Sequence, residues 1–208
     1  MAACKCSAHA RIGRSGRGVP QKNCALCAEA AKNKENTMTT WKNDPAHSRL
    51  GFVVRHLTIT EITGRFAEFT VTAEIGKDDL SDAKFSMAAQ TASVDTDVAA
   101  RDEHLRSPDF FEAAVHPVMT FESSKVRLEG AGEGKISGLL NIRGVAREVT
   151  FNFRSSEVVI NPMTKKPTRS FKVWGDIKRK DFGVGVNEPA AMVGEIVHVS
   201  ADAECSPA

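Results

Sequence analysis

The sequence predicts an all-β protein, an extended antiparallel β-barrel of about eight strands with a short helical insertion. Three observations predict it. From Trp41 onward, apolar and polar residues alternate with period two, which gives each strand one apolar and one wet face. Turn-forming residues separate these runs at short intervals. Only residues 95–117, DTDVAARDEHLRSPDFFEAAVHP, break the alternation.

Taken in order, residues 1–37 stand apart. They lack the period-two pattern, hold four of the five cysteines, and include the Gly13–Gly18 run GRSGRG and the polar stretch AKNKEN. They are predicted to be a separate tail ending in a linker near Thr37, with Met38 as an alternative start and residues 38–208 as the barrel domain. The first strand candidate is Arg49–His56. Phe69, Val71, Ala73 and Ile75 then alternate with Thr70, Thr72, Glu74 and Gly76, and Lys84–Thr91 follows. Ser107 is expected as an N-cap and Pro108 as the first helical residue, opening a short helix over Asp109–Ala114 that Pro117 ends. Beyond it come Val118–Val126, Lys135–Ile142, the Val149–Phe151–Phe153 run, the Phe171–Val173–Ile177 run and Glu195–Ala203. Asp78–Asp79, Glu129–Gly134 and Asn161–Pro167 supply turn material for a meander.

Bulk properties exclude several classes. A hydrophobic content of 41% in 208 residues suits one folded domain plus an appendage, not a disordered chain. A formal net charge of +2 argues against nucleic acid, whose binders carry a clustered basic face. No run of about eighteen apolar residues exists, so no membrane-spanning helix is expected. Lys5, Arg11, Arg14, Arg17 and Lys22 are followed by no apolar stretch. A secretory signal is therefore not expected; a cytoplasmic location with reduced cysteines is.

The inward stripe of such a barrel would contain Phe52 and Val54, Phe69 and Val71, Phe85 and Met87, Leu140 and Ile142, Phe151 and Phe153, and Phe171 and Val173. These residues either fill a core or wall a lumen. Eleven Phe, two Trp and no Tyr favour walls without polar handles, suited to a hydrocarbon ligand. Each buried methylene contributes roughly 0.8 kcal/mol. His56 shares the phase of Phe52 and Val54. His47, His56 and His104 lie on separate elements without a short ligand spacing, which favours core or rim histidines over a metal site. Arg101, Arg106, Arg143, Arg147 and Arg179 could form a phosphate-recognising rim, or serve as surface charges and local salt bridges.

Several segments in order carry a resemblance. They are Asp44-Pro45-Ala46-His47-Ser48, Phe52-x-Val54-Arg55-His56-Leu57, Gly64-x-Phe66, Arg101-Asp102-x-His104-Leu105 and Asp109-Phe110-Phe111. After them come Pro117-x-x-Thr120-Phe121, Ile142-Arg143-Gly144-Val145-x-Arg147-x-Val149, and Arg179-x-Asp181-Phe182-Gly183 with Asn187. From about Trp41 to Glu204 the chain resembles the YceI-like family of lipocalin-like, polyisoprenoid-binding proteins. The resemblance implies a barrel with a lipid chain in its lumen, no catalysis, no required cofactor and no metal. With the inward stripe and His56, the residues Arg101, His104, Phe110, Phe111 and Arg147 of the helical segment and the candidate rim complete the expected ligand-binding set. The expected function is noncatalytic binding, storage or transport of a polyisoprenoid or quinone-type lipid. A prenyl pyrophosphate would use the arginines; a quinone would not. Two rivals stand beside it: an enzyme acting on such a lipid through Asp102 and His104, and a stress-response interaction module with an incidental cavity. A homodimer is left open. His116 departs from the family pattern, which has an aromatic residue before the proline, and the cysteine tail is foreign to it.

In that tail, Cys4-x-Cys6 and Cys24-x-x-Cys27 are two pairs that could hold Zn²⁺ tetrahedrally. A disordered tail, an untranslated leader and redox pairing are the alternatives. Cys205, alone near the end, is expected to be an inert exposed thiol.

Overall fold

In the computed structural model, residues 38–130 and 132–208 are described. The strands are β1 (Thr39–Asn43), β2 (Arg49–His56), β3 (Thr60–Phe66), β4 (Phe69–Ile75), β5 (Lys84–Gln90), β6 (Val94–Asp95), β7 (Val118–Gly130), β8 (Glu133–Ile142), β9 (Val145–Ser155), β10 (Val159–Ile160), β11 (Pro167–Lys178) and β12 (Val193–Pro207). A single α-helix among the described residues, α1 (Ala99–Arg106), joins β6 towards β7. No helix among the described residues is long and apolar enough to cross a membrane.

All pairings are antiparallel, and hydrogen-bonded neighbours run β10-β11-β9-β8-β7-β5-β4-β1-β12-β2-β3-β6. A further β11–β12 pairing closes eight of these strands, β1, β4, β5, β7, β8, β9, β11 and β12, into the expected barrel. The long β12 makes closure possible because its two edges serve different neighbours. One edge pairs with β11 from Ile196 to Cys205. The other pairs with β1 over Cys205–Pro207 and with β2 over Val193–Asp202. β1 therefore completes the wall at one end, and the β2–β3–β6 arm extends it at the other.

The interior differs along its length. At the β1 end, Phe85 meets Phe153 and Phe171 face to edge, with ring centroids 5.3 and 4.9 Å apart, Phe153 and Phe171 stack at 6.2 Å, and the three rings fill the section. Cys205 is fully buried there rather than exposed as the sequence suggested. It lies on the same inward phase of β12 as Ala203, and burial pushes its thiol up to about 12. At the other end β9 and β11 diverge. Their ladder runs only from Ser155–Phe171 to Asn152–Trp174.

The helical insertion is present, but its helix precedes the expected one. Ser107 is the C-cap of α1, extended at ψ 170°, as the residue before a proline must be. The expected cap bond does form, from the Asp109 N–H to Ser107 Oγ at 3.3 Å. Residues 109–114 nevertheless continue as turns, because Glu112 adopts a left-handed φ of 49°. Its carboxylate accepts from Arg143 Nη2 at 2.9 Å, tying the connection to the β8–β9 turn.

Candidate functional site

The β2–β3 end of the barrel encloses a cavity of about 190 Å³. Of the eighteen residues expected to bind ligand, ten line it. β2 contributes Phe52 and Val54; β4, Val71; β5, Met87; β8, Leu140 and Ile142; β9, Phe151; and β11, Val173. Phe110 and Phe111 enter from the connection after α1. A chain of rings joins this connection to the barrel: Phe52 to Phe66 at 5.8 Å between centroids, and Phe66 to Phe111 at 5.5 Å.

The other eight lie elsewhere. Phe85, Phe153 and Phe171 form the filled section, and half-buried Phe69 packs against the core without reaching the cavity. Half-buried His56 ends β2, opposite Thr60 and Val193. Exposed His104 stacks edge-on to Phe110 at 5.0 Å and places Nε2 3.3 Å from Asp109 Oδ2. Arg101 turns back along the chain, donating to Thr96 Oγ1 and the Thr96 carbonyl, each at 2.7 Å. Exposed Arg147 donates to the Asp181 carbonyl at 3.3 Å, where β9 and β11 part.

The charged motif at α1 is largely absorbed by folding. Buried Asp102 accepts from the Thr96 N–H at 2.9 Å and from its hydroxyl at 2.5 Å. Arg106 donates to the carbonyls of Ala92 and Val94 at 2.7 and 2.9 Å. Three side chains thus staple α1 to the segment before it and hold Leu105, which reaches the cavity. Asp102 and His104 have separate partners and do not form a dyad. Among the described residues no three His, Cys, Asp or Glu side chains converge as a metal site. Cys4, Cys6, Cys24 and Cys27 lie outside the described residues.

Much of the wall was absent from the expected set. Phe66 and Phe121 occur in the resemblance segments, and Val197, Val199 and Ala201 follow the period-two phase of β12, so both groups had a readable signal. Phe182 likewise occurs in a resemblance segment, whereas Val184 and Val193 had no such signal, because they reach the cavity from irregular chain after β11 and from the start of β12.

Among the described residues only Arg179 and Ser200 bring side-chain N or O atoms to this wall. Arg179 is 4% exposed. Its Nε donates to the Gly194 carbonyl at 3.0 Å. Nη1 serves Val184 and Gly185, and Nη2 donates to Glu188 and Val193, both at 2.8 Å. Burial draws its pKa below the ordinary guanidinium value, with Glu195 and Glu188 opposing that shift from a distance. Arg179 is therefore a clamp on the 184–194 loop, and the five carbonyls occupy its donors.

The described domain has known counterparts. UPF0312 protein SA2479 of Staphylococcus aureus strain N315 is 34% identical over 173 residues, spanning 81% of this chain and 98% of its own. BcnA of Burkholderia cenocepacia has the same fold, with a TM-score of 0.71 at 22% identity over 78% of this chain and 98% of its own. A polyisoprenoid binding domain from Saccharophagus degradans, implicated in plant cell wall breakdown, superposes with a TM-score of 0.60 at 18% identity, covering 82% and 99% of the two chains. The YceI-like domain matches residues 41–205. That match runs from the first strand of the closed barrel to its last, and the chain belongs to the YceI-like family.

Proposed function

We propose that this protein binds a long-chain isoprenoid or similar amphipathic lipid, with the hydrocarbon in the β2–β3-end cavity, and stores or carries it without transforming it. The observation that carries this reading is the wall itself. Of its described side chains only Arg179 and Ser200 bear N or O atoms, and the Arg179 donors are occupied by loop carbonyls. Such a surface gives a buried head group little to bond to, while burial of hydrocarbon stabilises a complex by roughly 0.8 kcal/mol per methylene. The fold shared with the Saccharophagus degradans polyisoprenoid binding domain supports the same ligand class. The head group then stays outside the cavity and contributes little to affinity.

A chain-length series tests this. Affinity should climb steeply from geraniol to farnesol to geranylgeraniol, by about fourfold per added buried methylene until the cavity is full. Geranylgeraniol and its pyrophosphate should bind within about threefold of each other, and both should be recovered unchanged by organic extraction. Affinity that ignores chain length, or conversion of the bound lipid, would sink the reading.

A further inference from the structure

The hollow end carries an exposed apolar rim that the cavity does not account for. The β2–β3 hairpin turns through Leu57, Thr58 and Ile59, which are exposed, with Ile59 at 80%. The turn is tight, the Ile59 N–H donating to the His56 carbonyl at 3.2 Å. Leu57 and Thr58 both adopt left-handed φ values, 50° and 62°. Hairpin turns of that hand favour Asn-Gly, and a β-branched residue there is strained. Leucine and threonine are thus kept where local stability would select other residues, a recurrent mark of functional tips.

This tip adjoins the cavity. The Leu57 N–H donates to the Met192 carbonyl at 3.1 Å, and Met192, 45% exposed, precedes Val193 of the cavity wall. Exposed Val186 lies on the loop that Arg179 clamps. Charges nearby are balanced: Arg55 faces Glu61 across the hairpin, and Lys180 pairs with Glu195 at 3.2 Å. A protein partner chosen by charge has little to read here. A bilayer's acyl region requires only exposed apolar side chains with no net repulsion.

We propose that Leu57, Ile59 and Met192 form a membrane-docking tip that inserts into the surface of a lipid bilayer, so that the cavity exchanges its ligand with the membrane directly. This rests on the lipid-binding reading above. Insertion of this kind is nearly independent of salt, because no basic patch drives it.

The full-length protein is mixed with phosphatidylcholine vesicles containing geranylgeraniol, and separately with the same alcohol carried by a cyclodextrin. Variants are Leu57→Asp/Ile59→Asp at the tip and Ile160→Asp at an exposed apolar residue of the distant β10 hairpin. The tip variant should lose vesicle co-sedimentation and take up alcohol from vesicles about tenfold more slowly or worse. It should match wild type within about twofold with cyclodextrin, and Ile160→Asp should match wild type by both routes. Raising salt from about 0.1 to 0.5 M should leave vesicle uptake within about twofold. Tip-independent vesicle uptake overturns the proposal, as does an equal loss by both routes. A wild-type dimer that the tip variant splits without slowing vesicle uptake also overturns it, and assigns the rim to a second copy. If neither route loads the protein, the lipid-binding reading fails. Co-sedimentation with empty vesicles then decides alone: its loss in the tip variant keeps the docking surface, and its absence in wild type removes it.

Discussion

At the scale of single residues, Arg179 does the most to shape the hollow end. A guanidinium with five carbonyl partners and, among the described residues, no paired carboxylate is held by geometry, not by an ion pair. Arg179→Met strands those carbonyls in a site that is 4% exposed, and should cost about 3 kcal/mol or more. Arg179→Lys restores the charge but offers only three donors from one point, so it should recover less than half of that loss. Urea unfolding of both variants checks this; equal recovery by lysine would mean that the charge alone matters. Cys205 gives a second residue-scale prediction. Its thiol pKa, raised to about 12 by burial, lies above the value of about 8.5 for an exposed thiol. The stability that follows is fully present below the unfolded value and declines as pH climbs toward the folded one, because only the unfolded chain ionises easily. Native protein at mildly alkaline pH should leave Cys205 unalkylated, and unfolding in denaturant should expose it to peptide-mapped labelling.

At the scale of elements, glycines let strands carry the cavity's aromatic rings. A Cβ at Gly64 of β3 would collide with the Phe52 ring, and one at Gly175 of β11 would come within 2.7 Å of Phe151 Cδ1. Each ring lies over a neighbouring strand's glycine, so neither can keep its position if that glycine gains a methyl group. Gly64→Ala should force Phe52 to move and cost about 1–3 kcal/mol, with weaker lipid uptake measured in the same preparation. The helix is also held from outside itself. Val98 gives α1 no side-chain cap, so Asp102 and Arg101 bonding to Thr96 fix its start. Asp102→Ala should cost about 1–3 kcal/mol and loosen the Leu105–Phe111 wall. A fully stable variant would show that the helix needs no such staple.

At the scale of the whole molecule, one barrel has a filled end and a hollow end, and the two should respond differently to similar substitutions. Phe153→Ala and Phe171→Ala remove rings from a packed cluster, which typically costs about 3–5 kcal/mol, and should leave lipid affinity nearly unchanged. Val199→Trp adds bulk to a half-buried wall position. It should lower geranylgeraniol affinity by at least about tenfold while changing apo stability by less than about 1.5 kcal/mol. Calorimetric melting and lipid titration of the three variants separate the two ends. Comparable affinity losses in all of them would mean that the cavity extends through the Phe85–Phe153–Phe171 section.

Period-two alternation by itself determined that the chain is all-β, which residues of β4, β9 and β11 face inward, and where the helical interruption falls. These are consequences of local stereochemistry, since alternate side chains on a strand must point to opposite faces. Depth along the barrel axis is not local. Phe151 and Phe153 share one phase two residues apart, yet Phe151 walls the cavity and Phe153 fills the section beneath it. The difference arises where β1 completes the ring at one end while β9 and β11 separate at the other. The arginines follow the same logic. Sequence could nominate Arg101, Arg147 and Arg179, but their partners are fixed by chain returns. Thr96 captures Arg101, and the loop after β11 wraps Arg179. Alternation decides a side chain's face; only closure of the sheet decides whether that face meets a neighbour, a cavity or water.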